Sequence, residues 1–114
     1  MAKRTGPSVK TRQATQARDE YTCQWGGDVL GEDMGDLQHR RARGAGGSSL
    51  VEINSPANLI LICRDHHMFI EAHPLEAAAR GFRLGIGELP EYTPLEDWTG
   101  TRWALDHNAQ KKEA

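Results

Sequence analysis

Apolar positions in this chain fall into short runs divided by glycine and polar residues. Ser8 is placed to cap a helix over Val9–Glu20, a stretch rich in Arg, Gln, Ala and Lys. Few of its positions are apolar, so the pattern puts that helix on the surface. Gly26-Gly27-Asp28 and Gly31-Glu32-Asp33 surround the apolar pair Val29-Leu30, which predicts a hairpin or tight loop. A short strand is expected at Asp36–Arg40. Gly44-Ala45-Gly46-Gly47-Ser48-Ser49 then reads as a flexible loop. Ser55-Pro56 marks a turn. The run Leu59-Ile60-Leu61-Ile62 is short enough to be a strand or the buried start of a helix. Arg64 to about Arg80 favours helix, with a break forced at Pro74, a restart over Leu75–Arg80 and a stop at Gly81. Phe82, Leu84, Ile86, Trp98, Trp103 and Leu105 predict short strands that add core over 82–106. Residues 108–114 are polar and expected to fray.

The chain has 114 residues, which suits one domain with a modest core. Hydrophobic residues are 38% and aromatic residues 6%, lean enough that a bound metal would help hold the fold. The formal net charge of −2 hides an asymmetry. Lys3, Arg4, Lys10, Arg12 and Arg18 outnumber Asp19 and Glu20 near the start, and Arg40, Arg41 and Arg43 follow. The last thirty residues or so are net acidic. The basic front half can meet phosphate, or it can be a solvated surface. No apolar stretch follows the basic start, and no run is long enough to span a membrane. With two cysteines, Cys23 and Cys63, this predicts a cytoplasmic protein with reduced thiols. The expected organisation is a disordered basic tail over 1–7, a domain over 8–106 and a polar tail over 107–114.

Three segments carry the residues suited to chemistry. They are Asp36-Leu37-Gln38-His39-Arg40-Arg41, Asn58 at the head of its apolar run, and Cys63-Arg64-Asp65-His66-His67-Met68-Phe69-Ile70-Glu71. On a helix, His67 and Glu71 share one face and can grip a divalent cation such as Mg, Mn, Ni or Zn. Taken alone, a His-x3-Glu pair is more often a solvated polar face. His39 titrates near neutrality, as a group that activates water must, but it is equally readable as a satisfied surface histidine. Arg40, Arg41 and Arg43 can bind DNA phosphate through paired hydrogen bonds, or simply solubilise the surface.

The order of these pieces is more specific than any one of them. His39-Arg40-Arg41-Ala42-Arg43-Gly44-Ala45-Gly46-Gly47-Ser48, then Asn54-Ser55-Pro56-Ala57-Asn58-Leu59, then Cys63-x2-His66-His67 with His67-x2-Ile70-Glu71, resembles the HNH (His-Asn-His) endonucleases of actinobacterial phages. The resemblance covers roughly residues 18–83 and, more loosely, the Trp98/Trp103 region.

It implies an α+β fold, a small ββα-metal (His-Me finger) domain with an N-terminal helix and a short C-terminal strand extension. It implies His39 as general base, Asn58 as a catalytic residue that supports the finger and helps orient that base, and His67 and Glu71 as metal ligands. The metal would stabilise the departing 3′ oxygen of a DNA phosphodiester. DNA and, in phages, packaging proteins are the implied partners.

Two departures stand out. Gln38 occupies the place of a metal-ligating His or Asp, and its amide oxygen brings no charge. Asp36, two residues earlier, can assist from the same strand face. Many relatives also carry two Cys-x2-Cys pairs around a structural zinc. Here the pairs read Cys23-x2-Gly26 and Cys63-x2-His66, so Cys23, Cys63 and His66 are candidate zinc ligands and Gly26 offers nothing. The alternative makes both cysteines small buried hydrophobes, with Trp25 filling the space. Two rivals to a nuclease remain: a non-catalytic DNA-binding or packaging accessory on the same finger, and a metal-stabilised interaction module that uses the acidic, Trp-containing end.

Overall fold

A computed structural model describes residues 6–41 and 53–114. The expectations for residues 1–5, for Arg43 and for the glycine-rich stretch at 44–49 lie outside them. The described chain is a small α+β domain. Helix α1 spans Val9–Arg18 and strand β1 spans Asp36–His39. A 3-10 turn at Pro56–Asn58 leads into β2, Leu59–Ile62. Helix α2 is Arg64–Ala72 and α3 is Pro74–Ala79. A second 3-10 turn at Pro90–Tyr92 precedes β3 (Leu95–Glu96), β4 (Arg102–Leu105) and β5 (Lys111–Glu113). Strands β1 and β2 pair antiparallel with Asp36 opposite Ile62 and His39 opposite Leu59. The other three form a separate antiparallel sheet, in the order β3-β4-β5.

The apolar run Leu59-Ile60-Leu61-Ile62 is a strand, and all four side chains are buried. Ile60 and Ile62 join the main core with Cys23, Ile70, Ala77, Phe82, Leu95 and Leu105, while Leu59 and Leu61 alternate with them on the other side. A strand covered on both faces needs no polar alternation, which is why its sequence alone left helix open. Pro74 divides α2 from α3 as expected. At Gly81, φ is +81° and a Cβ would lie 2.1 Å from the Pro94 carbonyl oxygen, so the stop there is also a close backbone crossing.

Helix α1 is capped by Ser8, whose hydroxyl accepts from the Thr11 amide at 3.1 Å. It does not simply ride on the surface. Thr15, Gln16 and Arg18 are buried, and the Arg18 guanidinium donates to Asp19, Pro56 O and Leu59 O at 2.7–3.0 Å. Asp19 in turn accepts from the Leu61 amide. The helix is docked by polar groups that an apolar-periodicity argument does not count.

The 26–33 region closes as a tight loop, with Leu30 N–H donating to Tyr21 O and Cys23 N–H to Asp28 O. The C-terminal end departs from expectation. Residues 111–113 do not fray; they pair with β4, and the Lys111 ammonium lies 4.4 Å from the centre of the Trp103 ring. Ile86, expected in the core, is fully exposed, because residues 83–89 run as turns and bends.

Candidate functional site

Two groups of side chains stand out, and α2 builds both. The helix starts at Cys63, whose sulfur caps it by accepting from the His66 amide at 3.4 Å. The next two residues, His66 and His67, diverge around the helix and reach different places.

His67 faces an open cleft of about 670 Å³, walled on one side by β1 and on the other by α2. His39, Asp36 and Glu71 line the same cleft, so the His67/Glu71 helical pair and the strand histidine share one opening. Asp36 Oδ2 lies 2.9 Å from His67 Nδ1. The Arg64 side chain, 75% exposed, donates to Asp36 through Nε at 2.8 Å. Burial pushes the Asp36 carboxyl up, but the hydrogen bonds and charges of Arg64 and His67 outweigh it and hold the group below its ordinary value of 3.8. His39 Nε2 is 2.9 Å from Asn54 Oδ1. An amide oxygen can only accept, so Nε2 is the donor in this contact with Asn54, the role expected of Asn58. Asn54 is thus an orienting residue; it stood within the matched segments, but no spacing rule marks it.

Asn58 is fully buried. Its Oδ1 accepts from the Arg41 amide at 2.8 Å and its Nδ2 donates to Ile53 O at 2.8 Å. One side chain therefore ties together the two chain ends that flank residues 42–52, next to His39.

Two expected site residues are elsewhere. Gln38 is 3% exposed, and its amide nitrogen donates to His39 O and Phe82 O. Its side chain is buried and its amide is taken up by those backbone carbonyls, so it does not join the cleft as a ligand, although Asp36 two residues earlier lines it. Arg40 is wholly buried rather than exposed to phosphate. Its guanidinium donates to the carbonyls of Gly81, Ala57, Pro90 and Thr93, joining three segments of the chain. Burial pushes its pKa down to about 10, with Arg18 adding to the effect and Glu88 opposing it, so it stays cationic at neutral pH. Arg41 is half-buried beside it.

His66 faces the second group. Cys23, Asp28, Cys63 and His66 each offer one ligand atom, and all four atoms lie within 4.8 Å of one another, so the cluster could hold a metal ion. No other group of three or more His, Cys, Asp or Glu ligand atoms gathers this closely among the described residues. In the cleft, Asp36 and His67 are in direct contact. Both cysteines are free, and Cys23 is buried. Burial pushes the Cys63 thiol up to about 11; the His66 amide lowers it, while Cys23 and Asp28 raise it further. Asp28 did not emerge from the sequence because it lies two residues past the position where a second ligand is expected.

No family model, curated protein or solved structure matches the chain.

Proposed function

We propose that the chain is a divalent-metal-dependent endonuclease of the HNH type that hydrolyses phosphodiester bonds in DNA, on a ββα finger formed by β1, β2 and α2. One observation carries the reading: His39, Asp36, His67 and Glu71, drawn from two segments about thirty residues apart, open onto a single cleft. A cleft this open, with charged side chains on both walls, suits a backbone better than a small apolar ligand.

In this reading His39 takes the proton of the attacking water while Asn54 holds the ring by Nε2. The water oxygen forms the new bond to phosphorus and the bond to the 3′ oxygen breaks. Asp36 and His67, whose facing atoms lie 2.9 Å apart, are the pair that would hold the cation. When bound, such an ion supplies charge neutralisation at the phosphate. Glu71 borders the same space one helical turn on. Arg64, at the cleft, replaces Arg40 as the cation suited to phosphate, together with Arg41. Base edges play little part in such contacts, so sequence specificity is low. The likeness to phage proteins extends the proposal to genome packaging, with packaging proteins as partners.

A second reading, a DNA-binding accessory that does not cut, is favoured by the inward turn of Gln38 and by the hold of Arg64 on Asp36. Both leave the cation site poor in charge. Supercoiled plasmid incubated with the protein and Mg, Mn, Ni or Zn separates the two. Nicked or linear product that requires metal and disappears in His39→Ala is the expected result. Folded protein that shifts DNA on a gel but converts none with any metal would transfer the assignment to the accessory.

A further inference from the structure

The Cys23/Asp28/Cys63/His66 cluster is independent of the cleft and of any reaction there. Its distances have a definite geometry. Cys23 Sγ and Cys63 Sγ are 3.4 and 3.2 Å from His66 Nδ1, Cys63 Sγ is 3.6 Å from Asp28 Oδ2, and His66 Nδ1 is 3.4 Å from the same oxygen. A tetrahedral zinc ion with bonds of about 2.3 Å to sulfur and about 2.0–2.1 Å to nitrogen and oxygen has edges near 3.5 Å for sulfur to nitrogen or oxygen. The nitrogen–oxygen edge is then about 3.4 Å. Four of the six ligand–ligand edges match, and the other two, from Cys23 Sγ to Cys63 Sγ and to the Asp28 carboxylate, lie within 4.8 Å.

Hydrogen bonding does not account for the arrangement. His66 Nδ1 faces two sulfurs and a carboxylate oxygen at once, and a ring nitrogen has either one proton or one lone pair. A single central cation accepts that lone pair and draws all three neighbours to it.

We propose that Cys23, Asp28, Cys63 and His66 bind one zinc ion, with Asp28 as the fourth ligand. Two thiolates, an imidazole and a carboxylate form a closed set for a borderline-soft divalent ion. Harder ions such as Mg prefer all-oxygen sites and are excluded by the sulfur pair. Gly26, which looks like a missing ligand, has a different role. A Cβ there would fall 2.2 Å from His66 Cε1, so the absent side chain is the room that the imidazole occupies. With that position filled by His66, the chain continues two residues and turns back, and Asp28 closes the tetrahedron from the exposed side, its side chain 55% accessible. The site clamps the 23–28 turn onto the first turn of α2.

The test is metal content and coordination, read without reference to DNA. The intact protein, purified in reducing buffer, is expected to carry one zinc per chain by elemental analysis. Replacement by Co(II) should give the intense visible absorption of a tetrahedral ion with thiolate charge-transfer bands. Asp28→Ala is expected to weaken zinc binding at least about tenfold, as loss of a ligand must when even outer partners cost that much. Asp28→Cys should restore affinity and strengthen the thiolate bands, which keeps the test sharp if Asp28→Ala folds poorly. Glu32→Ala, exposed in the same loop, is the control and should bind as the parent does. Gly26→Ala should weaken binding by displacing His66. The proposal is overturned by protein without stoichiometric zinc and no affinity for it, by an octahedral cobalt spectrum, or by Asp28→Ala binding zinc as tightly as Glu32→Ala. None of these outcomes depends on whether the protein cuts DNA.

Discussion

Arg40 and Arg41 are neighbours of the same type with opposite circumstances. The Arg40 guanidinium is sealed among four carbonyl oxygens, and Arg41 contributes its backbone amide to Asn58 while its side chain is only half-buried. Arg40→Ala strips buried acceptors of their donors, and each unsatisfied group costs about 1–3 kcal/mol. A loss of at least about 3 kcal/mol is expected, read as a fall in the midpoint of urea unfolding. Arg41→Ala should leave that midpoint within about 0.5 kcal/mol and instead weaken DNA binding with a shallower salt dependence. Equal destabilisation by both variants would contradict the division. A run of arginines in a sequence advertises phosphate binding, but whether a given member faces solvent is decided by carbonyls that lie 17 to 53 residues away along the chain.

At the scale of an element, the turn between β3 and β4 is organised by one carboxylate. Asp97, 5% exposed, accepts from the Thr99 amide and hydroxyl at 2.8 and 2.6 Å, from the Thr101 amide at 3.2 Å and from the Trp103 indole at 2.9 Å. Burial raises its pKa, but these hydrogen bonds prevail and hold it below its ordinary value of 3.8. A depressed folded value means that the charged group stabilises the fold above pH 3.8, and that this contribution disappears as pH falls through the lower folded value. Asp97→Asn should therefore cost about 1.5–3 kcal/mol at neutral pH. The gap to the parent should close in strongly acidic buffer, and a gap independent of pH in parallel thermal melts would refute the assignment. The same turn aligns Trp103 under Lys111, which is how a polar C-terminal stretch with no apolar pattern becomes a paired strand. Pairing of that kind is written in the partner strand rather than in residues 111–113 themselves.

For the whole molecule, helix α2 is shared. Its first turn belongs to the Cys/Asp/His cluster and its next faces carry His67 and Glu71 to the cleft. The proposed zinc and the proposed cleft cation then have separable effects. A chelator strong enough to strip zinc should unfold or loosen the protein, since ion binding to the folded state alone adds about 4 kcal/mol at a free concentration a thousand times Kd. In a domain of this size that corresponds to a fall in Tm of roughly 15–30 °C. Removing Mg while zinc remains should abolish cutting with little change in Tm. A chelator-insensitive melt in zinc-loaded protein would contradict the structural role. No helix among the described residues is long and apolar enough to cross a membrane.

Local chemistry was sufficient, from sequence alone, for the pieces that depend on neighbours: the Ser8 cap, the break at Pro74, the stop at Gly81, the strand carrying His39 and the pairing of His67 with Glu71 on one helical face. Each follows from backbone sterics or from a fixed repeat. Tertiary structure alone decided what depends on residues far apart in the chain. It turned Gln38 inward and enclosed Arg40, because burial is a property of what packs above a residue. It brought Asn54 to His39, and it drew Asp28 beside Cys63 and His66, because a ligand set is a meeting of side chains in space and its spacing along the chain is free to vary.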